Sequence, residues 1–234
     1  MKKILVKISG EYFGSDSSVF DQSNIMKIAE ALISLRSETR DAIYVVVGGG
    51  NICRGRELRN FQFDHGGADH IGMLSTVQNA LILKKVFDKL GVSSHVMAPF
   101  AAEMLQIHPY QAGKAKWWAE EQGSIVIFGG GLGSCGYSTD MTTVSRAYEV
   151  GADLVIKVTE VGALFTSDPA KDPKALPIKK ITAKKVIKNG LEVMDEVAFA
   201  FAKTNNVTIK ITDLQNLKSR DFFDTSFGTI ITPT

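Results

Sequence analysis

Two lysines interrupt apolar stretches that otherwise have the pattern of buried strands. Lys7 lies in KILVKI near the start of the chain, and Lys157 ends the stretch DLVIK. A lysine in such a strand either reaches solvent along its aliphatic stem or has a charged partner. Two ammonium groups held on strands are suited to neutralising a bound phosphate. For Lys7 the alternative is a strand at the edge of a sheet, with its charge in water.

A run of three glycines follows a second apolar strand pattern, in the stretch Tyr44–Gly55, YVVVGGGNICRG. Val45–Val47 are β-branched without polar alternation, which is typical of a strand covered on both faces. Gly48–Gly50 allow positive φ and remove the side chains that would keep a ligand from the backbone amides. Arg54 can then hold a phosphate through two hydrogen bonds. We predict an anion site here, with an ordinary strand-to-helix turn as the alternative.

A second glycine loop, GGGLGSCGYSTDMTT at residues 129–143, follows the strand pattern SIVIF. Three of its glycines satisfy the G-x-G-x-x-G spacing of dinucleotide-binding folds. The next strand ends in Lys157, however, which has the wrong charge for binding ribose hydroxyls, so hydride transfer is the weakest alternative. The G-x-S-x-G nucleophile elbow of hydrolases is also excluded, because Leu132 stands two residues before Ser134, where the motif needs a glycine. No G-x-x-x-x-G-K-[ST] pattern of a Walker-type P-loop occurs.

Acidic residues near these loops have ordinary structural explanations. Asp69 opens a long helical pattern and fits an N-cap or first-turn acid. Thr139 and Asp140 most simply cap the following helix. The segment Asp64–His70 contains two aspartates and two histidines, but no further Cys or His lies nearby at ligand spacing. We therefore predict no metal site made by the protein alone.

Composition limits the class of protein. The 234 residues are 44% hydrophobic and 22% charged, with a net charge of +2, which argues for a globular chain without a broad nucleic-acid surface. No apolar run reaches transmembrane length, and the N-terminal patch is too short for a secretory signal. Cys53 and Cys135 are far apart and fit reduced thiols better than a disulfide framework. We therefore expect a cytoplasmic protein with neither a nucleic-acid nor a membrane partner.

Strand and helix patterns alternate along the chain. The first fifty residues read as a β-α-β unit, and later strand patterns include HVMA, SIVIF, DLVIK and a closing strand at residues 229–232. No repeat, low-complexity tract or linker-like stretch occurs. We therefore predict one α/β domain, with two lobes at most, whose mainly parallel sheet has helices above and below.

The topology predicts where the charged residues meet. Ligands of open α/β sheets collect at the carboxyl ends of the strands, so both glycine loops, Ser9-Gly10 and Thr159 would lie on one edge. The acids near this edge in the chain pattern are Asp69, Asp140 and Asp168. Positive donors without a nucleophile or base are what phosphoryl transfer needs, since the protein mainly aligns two substrates and stabilises charge. We therefore predict phosphoryl transfer.

Seven motifs in their order give the chain a family resemblance that spans Lys2 to about Pro233. They are KILVKISGE, VGGGNICRG, ADHIGMLSTVQNAL, STDMTT, RAYEVGADLVIK, LFTSDPAKDP and LEVMD. Together they resemble the bacterial uridylate kinases of the amino-acid-kinase fold. The resemblance implies conversion of UMP to UDP with ATP and Mg²⁺, in pyrimidine nucleotide biosynthesis. It also implies a three-layer α/β/α sandwich, usually assembled as a homohexamer.

The same resemblance implies a role for individual residues of a single domain, 1–234. The part at about 1–150 would bind the acceptor, and the part at about 151–234 would bind ATP. The implied catalytic residues are Lys7, Arg54, Asp140 and Lys157. The implied ATP contacts are Lys7, Ser9, Gly10, Gly50, Arg54, Thr159, Phe165 and Asp168. The implied UMP contacts are Gly49, Asp69, Leu132, Gly133, Ser138 and Thr139.

Within these sets, Lys7 would stabilise charge on the transferring group and Lys157 would add charge at the ATP phosphates. Asp140 would orient the catalytic lysines or the metal. Phe165 would pack on the adenine base, and Asp168 would bind the adenosine part by hydrogen bonding. Magnesium would come with ATP.

The second glycine loop departs from the family pattern. GLGSCGYSTD replaces the usual GTGNPFFTTD, so Leu132 removes a hydroxyl and Gly136 loosens the loop. His65 also stands where an arginine is common, and Gly162-Ala163 replaces Asp-Gly. Losing one hydrogen bond to a substrate costs about 1 to 3 kcal/mol, or about 5- to 150-fold in affinity. A related kinase with another small acid acceptor, or a non-catalytic nucleotide-binding oligomer, therefore remains an alternative.

Overall fold

The structure is a computed structural model that describes residues 1–37, 41–53, 58, 63–191, 193–218 and 224–234. Its strands are β1 Lys3–Ile8, β2 Ala42–Val47, β3 Ser94–Ala98, β4 Ile107–Pro109, β5 Ile125–Phe128, β6 Leu154–Val158, β7 Leu164–Phe165, β8 Pro177–Ile178, β9 Lys180–Thr182, β10 Ile209–Thr212 and β11 Thr229–Thr232. Its α-helices are α1 Gln22–Ser37, α2 His65–Lys89, α3 Ala112–Lys116, α4 Thr139–Val150, α5 Ala183–Lys188 and α6 Glu196–Thr204. Short 3₁₀ turns occur at Gly10–Phe13, Glu103–Leu105 and Asn216–Lys218, and α3 continues as the π-helical turn Trp117–Glu121.

Nine of the described strands form one sheet, in the order β4-β3-β5-β2-β1-β6-β10-β11-β9. Neighbours are parallel except for β10 and β11, and β7 pairs with β8 in a separate antiparallel pair. One face of the sheet packs on α1 and α2, and the other on α4, α5 and α6. This arrangement confirms the predicted α/β/α sandwich with a mainly parallel sheet. Among the described residues, no helix is both long and apolar enough to cross a membrane.

Strand β1 lies in the middle of the sheet, between β2 and β6. Because side chains alternate along a strand, Ile4, Val6 and Ile8 pack on the α1 and α2 side. Leu5 and Lys7 point to the opposite side, which α4 covers. Lys7 is only 6% exposed. The alternative of a solvated edge strand for Lys7 is therefore wrong.

The register of β1 and β6 places the two lysines side by side. Lys7 pairs with Lys157 across the two parallel strands, and with Val46 of β2 on its other side. Residues paired in register point to the same face of a sheet. Both ammonium groups therefore emerge beneath the N-terminal end of α4.

Helix α2 begins one turn before the position that the sequence pattern indicates. Its N-cap is Asp64, whose carboxylate accepts a hydrogen bond from the Gly67 N–H at 2.5 Å, and His65 is its first residue. Asp69 lies in the second turn, so its prediction as an N-cap or first-turn acid is wrong. The carboxylate of Asp69 is consequently available for contacts outside the helix.

The start of α4 also differs by one residue from the predicted cap. The hydroxyl of Ser138 accepts hydrogen bonds from the N–H groups of Asp140 at 3.1 Å and Met141 at 3.2 Å. Ser138 is therefore the N-cap, and the predicted caps Thr139 and Asp140 form the first turn. This leaves the carboxylate of Asp140 directed toward the sheet.

Candidate active site

A buried ion cluster joins Asp140 to the two strand lysines. The Lys157 ammonium donates to both carboxylate oxygens of Asp140, with Nζ–O distances of 2.9 and 2.7 Å. Lys7 Nζ lies 3.4 Å from Asp140 Oδ1. Lys157 also donates to the backbone carbonyl of Val193. The structure thus brings together three of the four predicted catalytic residues.

Burial and the charges of neighbouring groups both shift the pKa values of Asp140 and Lys157. Burial alone would raise the pKa of Asp140, but the charges of Lys7 and Lys157 outweigh it and hold that pKa below its ordinary value. Burial lowers the pKa of Lys157, against the attraction of Asp140, and the charge of Lys7 lowers it further. With all three groups ionised, the cluster carries one excess positive charge. Because it is largely removed from water, it is well suited to bind an anion.

The fourth predicted catalytic residue, Arg54, lies outside the described residues. The glycines before it are described, and they lie against the turn that follows β1. The Gly48 N–H donates to the Ile8 carbonyl at 2.9 Å. A Cβ on Gly10 would stand 2.4 Å from the Gly50 nitrogen, and one on Gly48 would stand 2.7 Å from the Gly10 nitrogen. The carboxyl ends of β1 and β2 therefore meet backbone to backbone.

The first glycine run is required for a different reason from the one predicted. In the described backbone, none of Gly48, Gly49 and Gly50 has a positive φ. A Cβ on Gly49 would instead lie 2.7 Å from Ser75 Cβ and 2.9 Å from the Thr76 nitrogen, both in α2. Close approach of the backbone to a neighbouring segment, rather than an unusual φ, thus explains Gly48 and Gly49.

The second glycine loop, which we call the acceptor loop (residues 129–138), does use positive φ. Gly130, Gly131, Gly133 and Gly136 have φ of 75°, 61°, 81° and 83°. Substituting any of these four glycines would strain the backbone. Glycine is therefore the appropriate residue at each turn of the loop.

Side chains of two helices hold the acceptor loop in place. The Gly136 N–H donates to Asp69 Oδ2 at 2.7 Å, and the Gly130 N–H donates to Thr76 Oγ1 at 2.7 Å. The Arg146 guanidinium donates to the Gly131 carbonyl at 3.4 Å. Asp69 thus contacts the loop that contains the predicted acceptor-side residues Leu132, Gly133 and Ser138.

The remaining acceptor-side residues lie along this loop. Leu132 is half-buried, whereas Gly133 and Ser138 are exposed. Thr139 begins α4, and its carbonyl accepts a hydrogen bond from Thr143 Oγ1 at 2.6 Å. The loop therefore leads directly from the end of β5 to the Asp140 cluster.

The predicted ATP-side residues are spread more widely. Thr159 directly follows β6, and its buried hydroxyl has no hydrogen-bond partner in the part of the chain that the structure describes. Phe165 is half-buried in β7. Asp168 is exposed. Its carboxylate accepts a hydrogen bond from the Ala170 N–H at 3.0 Å and lies 3.4 Å from Lys171 Nζ. Its described contacts lie in its own turn and do not join it to the Asp140 cluster.

A cavity of about 520 Å³ borders Asp140 and Asp195. Its apolar lining comes from Val186, Ile187, Leu191, Met194 and Phe199. Sequence reasoning assigned no role to these residues or to Val193 and Asp195. The only signal was the motif LEVMD, which contributed to the resemblance without a named function.

A larger cavity, about 1320 Å³, lies on the α1 side of the sheet. The acids Glu11, Asp16, Glu160 and Asp213 line it, along with Tyr12. Burial, then the charges of Glu160 and Asp213, raise the pKa of Tyr12 to about 12. Lys27 also lines this cavity, so the four carboxylates leave its lining with a net negative formal charge.

Metal ligation by the protein alone finds no support in the described residues. Among them, no group of three or more His, Cys, Asp and Glu is arranged to hold a metal ion. Asp69 contacts the acceptor loop, and Asp140 is shared between two lysines.

Comparison with known proteins gives consistent similarities. The sequence profile of the amino acid kinase family matches residues 2–213. The chain is 38% identical to "Uridylate kinase" of Rhodococcus jostii over 214 residues, which is 91% of this chain and 86% of that protein. It is 40% identical to "Uridylate kinase" of Rickettsia prowazekii over 215 residues, covering 90% and 86%.

Solved structures of UMP kinases are also similar to this chain. The UMP kinase from Bacillus anthracis superposes with a TM-score of 0.93 at 28% identity, covering 99% of this chain and 96% of that one. The UMP kinase from Ureaplasma parvum gives a TM-score of 0.89 at 26% identity, covering 99% and 98%.

Proposed function

The chain belongs to the amino acid kinase family, and from this premise we propose that it transfers the γ-phosphoryl group of ATP to UMP. The products are ADP and UDP, which makes the reaction a step of pyrimidine nucleotide biosynthesis. Relatives named uridylate kinase and structures of UMP kinases support this choice of acceptor. The observation that carries the proposal is the buried cluster of Lys7, Asp140 and Lys157.

The cluster supplies what this reaction asks of a protein. In phosphoryl transfer, charge spreads over the oxygens of the moving group, and catalysis consists mainly of positioning and electrostatic stabilisation. Lys7 and Lys157 offer two positive charges, and Asp140 holds both at fixed positions. Because their mutual geometry is set before substrate binds, little reorganisation is needed during transfer.

We place the acceptor on the part of the chain at about 1–150. Gly49, Thr139 and the acceptor-loop residues Leu132, Gly133 and Ser138 would surround the UMP phosphate and base. Asp69 would hold the ribose through the carboxylate oxygen that the Gly136 amide does not occupy. Support for this placement comes from the bare backbone of Gly49 against α2 and from the loop that reaches back to Asp69.

We place ATP on the part at about 151–234, with phosphate contacts from Ser9, Gly10, Gly50 and Arg54 across the shared edge. The hydroxyl of Thr159, which has no partner among the described residues, suits a hydrogen bond to this nucleotide, since buried polar groups rarely remain unpaired. The cavity beside Asp140 has a volume of about 520 Å³, and the apolar side chains in its lining suit packing against part of the nucleoside. Phe165 and Asp168 would complete the adenosine contacts.

Magnesium fits this arrangement as a substrate-bound ion. Mg²⁺ is held in such sites mainly by phosphates and water, with one or two carboxylates, and Asp140 borders the cavity. Asp140 would hold the ion there, and the ion would supply positive charge that neutralises the phosphates. Asp140 would keep its second function of orienting the lysines.

We also propose a cytoplasmic homohexamer. Support comes from apolar side chains of α2 that remain accessible in the single chain, Ile71 at 40% and Leu74 at 51%. Contiguous apolar side chains on a surface are a mark of interaction sites. Sedimentation or mass photometry of the purified protein would measure the subunit count.

An acceptor screen tests the proposed reaction. Purified protein would be incubated with MgATP and, separately, UMP, CMP, other nucleoside monophosphates and small carboxylic or phosphate acids, with ADP measured by a coupled assay. We expect turnover with UMP above all others. Turnover with another small acid but not UMP would favour the related kinase. Nucleotide binding by calorimetry without product would favour a non-catalytic protein.

A further inference from the structure

Asp195 occupies a helix-cap position but makes no cap. It directly precedes α6, where an aspartate ordinarily accepts hydrogen bonds from the first N–H groups of the helix. Its side chain accepts none from the first turn of α6, a turn that the structure describes in full. The carboxylate instead accepts the hydroxyl hydrogen of Ser138, 57 residues earlier in the chain. Helix capping therefore does not account for this aspartate.

The hydroxyl of Ser138 transmits this contact to the Asp140 cluster. By donating its hydrogen to Asp195, it leaves its lone pairs for the N–H groups of Asp140 and Met141, at 3.1 and 3.2 Å. Hydrogen bonds in such a chain polarise and strengthen one another. The link thus runs from the Asp195 carboxylate to the backbone of Asp140.

The segment containing Asp195 also contacts the other partner of the ion pair. The Val193 carbonyl accepts from Lys157 Nζ, and Asp195 borders the cavity next to Asp140. Residues 193–195 therefore hold Lys157 from one side and the first turn of α4 from the other. These residues belong to the half of the chain that we assign to ATP, whereas Ser138 ends the acceptor loop.

We propose that Asp195 is a positioning residue, which acts through Ser138 to fix the end of the acceptor loop and the direction of the Asp140 carboxylate. In this role it touches neither the transferring group nor UMP. It couples the ATP half of the chain to the acceptor loop. The kinetic part of this inference rests on the proposed function, and the contact itself does not.

Amide hydrogen exchange tests the contact without any substrate. In Asp195→Ala, the N–H groups of Asp140 and Met141 should exchange about tenfold faster or more, because their acceptor is no longer held in place. Glu196→Ala is the matched control, since it removes an equal charge from the next residue without touching Ser138. Exchange at Asp140 and Met141 that is the same in Asp195→Ala as in the wild type would overturn the proposal.

A double-mutant cycle tests the kinetic role. Asp195→Ala and Ser138→Ala should each raise the KM for UMP and lower kcat by about tenfold or more, and the double variant should be no worse than either single one. Ser138→Thr keeps the hydroxyl and should restore activity. Additive losses would mean that Asp195 acts directly on substrate or metal, which contradicts the proposal. If the wild type lacks UMP kinase activity while the exchange result holds, only the proposed function fails.

Discussion

Lys7 and Lys157 are paired in register on adjacent parallel strands, and their ammonium groups share the carboxylate of Asp140. Two buried lysines side by side would repel each other without this carboxylate. With it, they form a fixed positive pair at the edge where the glycine loops meet. The proposed phosphoryl transfer follows from this relationship.

Removing the shared carboxylate should impair both turnover and folding. Asp140→Ala leaves two buried ammonium groups without their partner, and breaking a buried pair typically costs about 3–5 kcal/mol. Misplaced lysines should lower turnover by at least about 100-fold. Urea unfolding and steady-state kinetics measure the two effects.

A surface aspartate provides the control for this change. Asp88→Ala removes the surface ion pairs with Lys84 and Lys85, each worth about 1 kcal/mol or less. It should alter neither turnover nor unfolding appreciably. Near-normal turnover in Asp140→Ala would show that the cluster has no catalytic role.

The pH profile should reveal the unusual state of Lys157. Burial, reinforced by the charge of Lys7 and opposed by Asp140, lowers the pKa of Lys157 below 10.5. A lowered pKa means that the ammonium loses its proton at a lower pH, so turnover should decline on the alkaline side before an ordinary lysine titrates. The measurement is kcat at saturating substrates from neutral pH upward.

Replacing Lys157 by arginine tests whether the alkaline decline comes from loss of the proton at this position. Lys157→Arg keeps a permanent charge, so its remaining activity should lack the early alkaline decline. Lys85→Arg, at a side chain that is 67% exposed, should leave the profile unchanged. An identical alkaline limb in wild type and Lys157→Arg would assign that limb to another group.

A methyl group added at Gly49 should impair UMP binding, whereas one added at Gly113 should stabilise the helix that contains it. Gly49→Ala places a Cβ 2.7 Å from Ser75 Cβ and 2.9 Å from the backbone nitrogen of Thr76. The helix cannot easily yield, so the loop should shift and the KM for UMP should rise by about tenfold or more. Gly113→Ala meets nothing within 4 Å and should stabilise α3 by about 0.5–1 kcal/mol. Unchanged kinetics in Gly49→Ala would remove this residue from the acceptor site.

Leu132 offers a gain-of-affinity prediction. Leu132→Thr supplies the hydroxyl that this chain lacks in its acceptor loop, and one added hydrogen bond should lower the KM for UMP by about 5-fold or more. Valine has nearly the shape of threonine but no hydroxyl, so Leu132→Val should not lower the KM for UMP. If both variants behave alike, this position does not contact the substrate through a hydrogen bond.

The sequence predicted the fold well because its strong signals are local. Unbroken apolar runs such as Val45–Val47 are hydrophobic enough to identify buried central strands, and glycines mark their ends. The strand lysines also predicted a charged site. The adjacency of Lys7 and Lys157, however, depends on the pairing of β1 with β6, which no local pattern reveals.

What the sequence did not predict comes from contacts between distant residues. Asp69 and Asp140 both looked like helix caps, yet Asp64 and Ser138 take those positions, because capping depends on where a helix actually begins. Asp195 directly precedes α6, yet its side chain bonds to Ser138, which is a tertiary contact. Close approach of the glycine backbone to α2 is a further property of packing, and local residue preferences do not reveal it.

The most direct test of the central claim is product formation from MgATP and UMP, followed by chromatography of the nucleotides for the wild type and Lys7→Ala. We predict that the wild type forms UDP and ADP in equal amounts, and that Lys7→Ala lowers the rate by at least about 100-fold. Absence of UDP with the wild type, or an undiminished rate in Lys7→Ala, would contradict the account.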